Sequence, residues 1–265
     1  GGWGSGSGQE ESAGGFTPFA VTGLGGIATS TGATPRDRGA TVQVAKTTSL
    51  PGLDRQWVVF TGPKTVFHTY NRIGYGAGLN VQRSDDGGLT YGRETLVSPN
   101  PSGQGQIRSL PAELNPAKNG KPAVFYPWSQ GSSLRLALSL DDGATWNNCT
   151  VYEANGNTNN KFPGVDSDEE ENLYFVYTEA GSWDTFVTTV ANLDLLACTG
   201  GTAGNFGGVV LNASPAVQVN RDKVDTTAFP WIVSSGKKGR VAVSFSGPER
   251  PGPPHALQLP RFRTC

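Results

Sequence analysis

One short pattern occurs twice, and it constrains the fold more than anything else in the chain. Residues 84–91 read SDDGGLTY and residues 139–146 read SLDDGATW. Both fit S-x-D-x-G-x-T-[WY]: Ser84, Asp86, Gly88, Thr90 and Tyr91, then Ser139, Asp141, Gly143, Thr145 and Trp146. Each copy follows an alternating run. GLNVQR puts Leu79 and Val81 on one face and Asn80 and Gln82 on the other, and SSLRLALSL aligns Leu134, Leu136, Leu138 and Leu140. A period of two marks a half-buried strand. Asp-x-Gly after a strand is hairpin-turn chemistry, because the carboxylate accepts turn N–H groups and glycine takes the left-handed φ that Asp or Leu resists. The final aromatic opens the return strand. These ten residues therefore read as a folding device. A calcium loop needs further oxygen ligands and a late bidentate Glu, and Tyr91 and Trp146 stand where such ligands are required.

The surroundings repeat as well. Ser139 follows Ser84 by 55 residues. LDRQWVVF, TVFHTY, GLNVQRS and ETLVS make four short strands around the first copy, and IRSLPAEL, PAVFYPW, SLRLALS and CTVYEA do so around the second. A third unit lacks the motif, yet LYFVYTE (173–179) stands where TVFHTY and AVFYPW stand. The DSDEEE before it reads as a solvated acidic turn. A fourth unit, VDTTAFPWIVSSGKKGRVAVSFSG, supplies two strands joined at Lys237-Lys238. A constant period with four strands per unit predicts an all-β chain: a β-propeller of four-stranded antiparallel blades, rather than a sandwich. The 37 glycines and 18 prolines suit short strands and many turns. The expected boundaries are a flexible lead-in at 1–15, a propeller domain at 16–246 and a Pro-rich coil tail at 247–265. Blades fall near 53–100, 107–154 and 160–214, with partial ones at 16–50 and 225–246. The ring could close if the C-terminal strands joined ATVQVA (40–45), or it could be broken.

The doubled motif resembles the Asp-box, or BNR, repeat of sialidase-like β-propellers. LPGLDRQWV, RSDDGGLTYG, SLDDGATW, ENLYFVYTE and FPWIVSSGKKGRVAVSFSG are similar to stretches of bacterial secreted proteins of the exo-α-sialidase type. The resemblance covers roughly residues 50–246. It implies secretion or cell-surface display, a carbohydrate ligand, and a propeller that is here incomplete or has fewer than the family's six blades. It also implies a reaction. An arginine cluster clamps the sialic acid carboxylate, a Glu activates a Tyr nucleophile, and an Asp serves as acid and base. The family's Arg-Ile-Pro string is absent. The nearest string is Asn71-Arg72-Ile73-Gly74, and that role is not carried over to Arg72.

Candidates for the remaining roles follow from position. Arg55, Arg108 and Arg221 each enter the first strand of a unit and form the expected ligand-binding set. The bland alternative pairs them with Asp54, Glu113 and Asp222 to pin blade edges. Tyr177 and Glu179 share a strand face and are nucleophile and base candidates, or an ordinary edge pattern. Asp54, Asp166 and Asp225 are the acid/base candidates. Trp57, Trp128 and Trp231 recur near blade starts, as a sugar platform or as core. The expected function is glycan binding, acidic sugars included, on the axial face. The alternatives are an active exo-α-sialidase-type glycoside hydrolase and a non-catalytic protein-interaction scaffold.

Composition closes off other classes. A net charge of -1 gives no general pull toward nucleic acid or anionic membranes. No apolar run of about 18 residues predicts a membrane-spanning helix. His68 and His255 are the only histidines, no Cys/His spacing suggests zinc, and neither a metal nor a cofactor is expected. Cys149 and Cys198 could form a disulfide between neighbouring units in an exported protein, or remain two buried thiols, while Cys265 has no evident partner. Asn148-Cys149-Thr150 and Asn212-Ala213-Ser214 are glycosylation sequons. The opening GGWGSGSGQ reads as a processed chain or a fragment.

Overall fold

The computed structural model describes residues 19–23, 26–30, 42–44, 53–72, 78–99, 103–159, 162–199, 208–220, 227–247 and 261–264, with side chains from residue 56 to residue 247. The described structure is all-β and built from antiparallel sheets. The chain divides into two units, Gly1–Asn100 and Pro101–Cys265.

The first unit holds two sheets. β1 (Phe19–Gly23), β2 (Gly26–Ser30) and β3 (Val42–Val44) form one. The second is a meander of β4 (Leu53–Phe60), β5 (Val66–Arg72), β6 (Gly78–Ser84) and β7 (Thr95–Ser98). Register places Val59, Phe67, Leu79 and Val81 on one face. His68, Tyr70 and Asn80 lie on the other, and all three are buried as well. The alternation correctly marks the strands, but the polar face of β5 and β6 is covered rather than wet.

The second unit holds three sheets. In the first, β8 (Gly103–Gln104) and β9 (Arg108–Leu110) both pair with β10 (Ala123–Gln130), followed by β11 (Ser133–Ser139) and β12 (Asn147–Glu153). Its first strand is thus interrupted, and Gly105 lies in the interruption. The Gly105 N–H donates to the Pro127 carbonyl at 2.8 Å, while a Cβ there would lie 1.7 Å from the Pro163 carbonyl oxygen. Only glycine permits that approach. The next sheet runs β13 (Gly164–Ser167), β14 (Leu173–Thr178), β15 (Thr185–Val190) and β16 (Val217–Gln218). The last joins β17 (Ala228–Ser234), β18 (Val241–Ser246) and β19 (Arg261–Thr264).

These three sheets share cores in chain order. Phe125, Leu134, Leu136, Leu138 and Val151 of the first sheet pack with Val165, Phe175, Tyr177 and Val190 of the second. Tyr174, Val176 and Val187 pack with Ile232, Val243 and Phe245 of the third. β14 is therefore buried on both faces, which explains its unbroken apolar run. Cys149 on β12 and Cys198, after a short 3₁₀ turn at Asn192–Ala197, are joined by a disulfide with Cα atoms 5.5 Å apart.

Several expectations need correction. The fourth strand of the third unit lies at 217–218, beyond the expected end at 214, because the 3₁₀ turn and the disulfide lengthen that connection. The tail is not all coil, since β19 pairs with β18. ATVQVA contributes β3, which pairs with β2. Of the two sequons, Asn148 is buried and only Asn212 is exposed.

Candidate functional site

Both motif copies sit between the third and fourth strands of their sheets, and their polar atoms bond to one another. In the first, the Ser84 hydroxyl donates to Asp86 Oδ1 at 2.7 Å and accepts from the Gly88 N–H at 2.8 Å. Asp86 Oδ1 also accepts from the N–H groups of Leu89 and Thr90, both at 2.9 Å, and Oδ2 accepts from the Thr90 hydroxyl. The second copy repeats this with Ser139, Asp141, Gly143 and Thr145. Each turn also reaches the start of its sheet's second strand, through Gly87 N–H to the Lys64 carbonyl and Asp142 N–H to the Pro122 carbonyl. Gly87 and Gly88 have φ of 82° and 89°. Asp142, the counterpart of Gly87, adopts φ 59°, so an aspartate does take a conformation expected only of glycine. Tyr91 is half-buried with its ring 5.7 Å from that of His68, and Trp146 is likewise half-buried.

Partial burial alone would raise the Asp86 carboxyl, but the bonds from Thr90, Ser84 and Leu89 bring it down to about 2. Asp141 is lowered in the same way. Asp86→Ala and Asp141→Ala are each expected to cost about 1–3 kcal/mol by orphaning turn donors. Chemical denaturation measures this, and an unchanged midpoint would refute the folding role.

The unit 101–265 has two chemically distinct ends. One carries the second motif copy and a knot that the sequence reading missed. Asp168, in the turn read as merely solvated, is buried. Its carboxylate accepts from the N–H groups of Glu170 and Asn172 and from the Tyr174 hydroxyl at 2.6 Å. The same hydroxyl accepts from the Gly239 N–H at 2.8 Å, tying the β13–β14 turn to the β17–β18 turn. Lys238 adds an exposed ion pair to Glu170 at 2.6 Å.

The other end gathers the β10–β11 turn, the β12–β13 crossover and the β14–β15 turn. Thr158 N–H donates to the Gly131 carbonyl, and Asn157 and Ala180 form a bridge. Three large aromatic residues lie here with left-handed backbones: Phe162 (φ 50°), Trp183 (φ 57°) and Phe229 (φ 52°).

Of the expected arginine set, only Arg108 has a described side chain. Arg108 Nε donates to the Val165 carbonyl at 3.4 Å, linking β9 to β13. Burial lowers its pKa, opposed by the charge of Asp166. Asp166 itself accepts from the Ser234 N–H at 2.7 Å, linking β13 to β17. Both residues thus fasten sheet edges, although Arg108 faces Asp166 rather than Glu113. The side chains of Arg55 and Asp54 lie outside the described residues, as do Arg221, Asp222 and Asp225 altogether. Trp128 is core, with Arg135 over its ring at 5.6 Å, and Trp57 and Trp231 are half-buried.

Tyr177 is 1% exposed and packs between Tyr152 and Phe186. Burial, then the charges of Tyr152 and Glu179, push its hydroxyl pKa up, opposite to what activates a nucleophile. Glu179 accepts from the Asn155 N–H at 3.1 Å. The Tyr–Glu pair that does form is elsewhere. The Tyr70 hydroxyl donates to Glu94 Oε2 at 2.7 Å, and Arg72 holds Glu94 Oε1 at 3.2 Å. Tyr70 is buried, and burial followed by Glu94 raises its pKa. Sharing a strand face with Arg72 was its one sequence signal.

Beside it, His68 is buried and its pKa falls to about 3, with burial as the cause and the Gln82 side chain opposing. A depressed histidine is neutral in the fold and charges on unfolding, so its stability contribution is lost as pH falls below the free value near 6.5. Stability should decline by about 1.4 kcal/mol per pH unit below pH 6. His68→Gln should flatten that slope between pH 6 and 4.5 in denaturation measured against pH, and an unchanged slope would show that His68 does not titrate on unfolding.

Among the described residues, no group of three or more His, Cys, Asp or Glu is placed to hold a metal ion, and no helix is long and apolar enough to cross a membrane. No family model and no curated protein matches the chain. A crystal structure of a protein of unknown function from Dyadobacter fermentans DSM 18053 is similar in fold, with TM-score 0.52 and 14% identity. That match covers 83% of this chain and 63% of the other, so the chain spans less than two thirds of that protein.

Proposed function

We propose that this chain is an exported glycan-binding protein of the Asp-box propeller type, in which the doubled motif holds the blades and Tyr177 and Glu179 are not catalysts. The observation that carries the reading is the Ser–Asp–Thr bonding of both motif copies, each at the turn into the last strand of an antiparallel sheet. The three face-packed sheets of residues 101–265 support blades stacked in chain order. The disulfide fits an oxidising compartment.

The test is a glycan array on the purified chain, paired with a fluorogenic sialoside assay. The expected result is retention on carbohydrate without turnover. A chain that binds no glycan leaves the protein-interaction scaffold in its place. Sialoside turnover would establish the hydrolase reading instead, with a nucleophile other than Tyr70, whose buried hydroxyl donates to Glu94 and is pushed up in pKa as that of Tyr177 is.

A further inference from the structure

We infer that His68 is an acid-sensitive latch on the first Asp-box turn: when its ring takes up a proton, the box segment ending at Tyr91 opens locally, while the second box stays closed. The device does not depend on the glycan reading.

The first ground is how the imidazole is housed. His68 is 1% exposed, and among the described residues neither ring nitrogen has a hydrogen-bond partner. Gln82 lies directly across from it in register, but the Gln82 amide donates to the Gly92 carbonyl at 3.3 Å. Burial and Gln82 are the influences on the ring, and no charged side chain joins them. A neutral imidazole tolerates such a site. An imidazolium brings two N–H donors and a charge with no acceptor to meet them, and a buried unpaired charge is too costly to keep. The charged ring must reach water.

The second ground is which neighbour gives way. The rings beside His68 are those of Tyr70, with centroids 5.1 Å apart, and Tyr91, at 5.7 Å. Tyr70 is held within β5, and its hydroxyl is tied to Glu94, which Arg72 also holds. Tyr91 lies outside the strands and is half-buried, and its hydroxyl has no hydrogen-bond partner. Tyr91 is thus the looser of the two, and it is the last residue of the box. Thr90 before it bonds to Asp86 through both its N–H and its hydroxyl, so displacing Tyr91 pulls on the bonds that close the turn. The charge of Asp86 acts on Tyr91. Glu94, fixed by Tyr70 and Arg72, limits how far the opening spreads toward β7. The remaining nearby charges, Arg83 and Asp85, pair with each other, and Arg83 lies over Phe67, on the opposite face of β5.

The third ground is the comparison the chain itself supplies. Val66 faces Ser84 in register as Val124 faces Ser139, so two residues further on His68 and Tyr126 hold the same place relative to their boxes. Tyr126 is buried as His68 is, but a phenol takes up no proton in the acid range. Both boxes carry an aspartate whose carboxyl is held low by the turn's own bonds. The carboxylates are therefore matched between the two turns, and the histidine is not.

The experiment is residue-resolved amide hydrogen exchange by NMR on the full chain between pH 6 and 4.5, corrected for the intrinsic pH dependence of exchange. Protection at Gly88, Leu89 and Thr90 is compared with protection at Gly143 and Thr145, in the wild type and in His68→Gln. With a free histidine value near 6.5, opening that exposes His68 becomes roughly twentyfold more frequent across this range. First-box protection should fall by that factor, second-box protection should stay within about twofold, and His68→Gln should abolish the fall. Equal falls in both boxes would mean that the chain opens as a whole and would overturn the latch. A first-box fall that persists in His68→Gln, or no fall at all, overturns it too. If His68→Gln does not fold, the comparison of the two boxes in the wild type decides alone.

Discussion

Cys198→Ala is expected to destabilise the chain by about 4 kcal/mol, the chain-entropy value for a closed loop of this size. Cys149 and Cys198 are 49 residues apart, and the loop between them contains β13, β14 and β15. Both cysteines are buried in the core shared by the first two sheets of residues 101–265. Removing the bond frees the unfolded chain and also leaves the Cys149 thiol in an apolar site. Urea denaturation with and without reductant measures the effect. The reduced wild type should match Cys198→Ala to within the smaller packing change. A loss under about 1 kcal/mol would mean that packing alone orders the loop.

Asp168→Ala should have the next largest effect, about 3–4 kcal/mol, because charge-assisted bonds are worth more than neutral ones and several are lost together. The donors orphaned are the N–H groups of Glu170 and Asn172 and the Tyr174 hydroxyl. Asp168→Asn retains an acceptor and should cost about half as much. Tyr174→Phe removes the link to Gly239 and should cost about 1–1.5 kcal/mol. Burial raises the Asp168 carboxyl, but the bonds from Tyr174, Asn172 and Glu170 outweigh it and leave the pKa depressed. Its contribution is therefore present above the free aspartate value and lost as pH falls below about 4. That window opens below the interval of pH 6 to 4.5 in which His68 is tested. If Asp168→Ala unfolds within 1 kcal/mol of wild type, the turn is as solvent-loosened as its sequence suggests.

Strands and box turns were legible because their causes are local. The alternation of SLRLALS and the Ser–Asp–Thr spacing lie within a few residues of one another. Asp168 was not legible, since DSDEEE looks like a charge run and the Tyr174 hydroxyl it holds bonds to Gly239, 65 residues further on. Tyr70 and Glu94 meet across β6, at a separation no short motif records. Arg108 was read correctly as entering a first strand, but the partner that absorbs it belongs to the next sheet. β19 has no alternation to betray it, because an edge strand is specified by one neighbour. The three left-handed aromatics carry no sequence signal, as their conformation is imposed by surrounding bonds.

The two box turns also bear on how the chain folds in time. Each is closed by a carbonyl at the start of its own sheet's second strand, Lys64 or Pro122. Contacts this near in sequence cost little loop-closure entropy, so they form early. Each boxed meander is then a nucleus that can assemble on a nascent chain before later sheets exist. The β13–β16 sheet has no such lock, and its central strand needs a neighbour on both faces. Pulsed hydrogen exchange should find β10 and β11 protected before β14, with oxidation of Cys149 and Cys198 sealing an order the turns had already set.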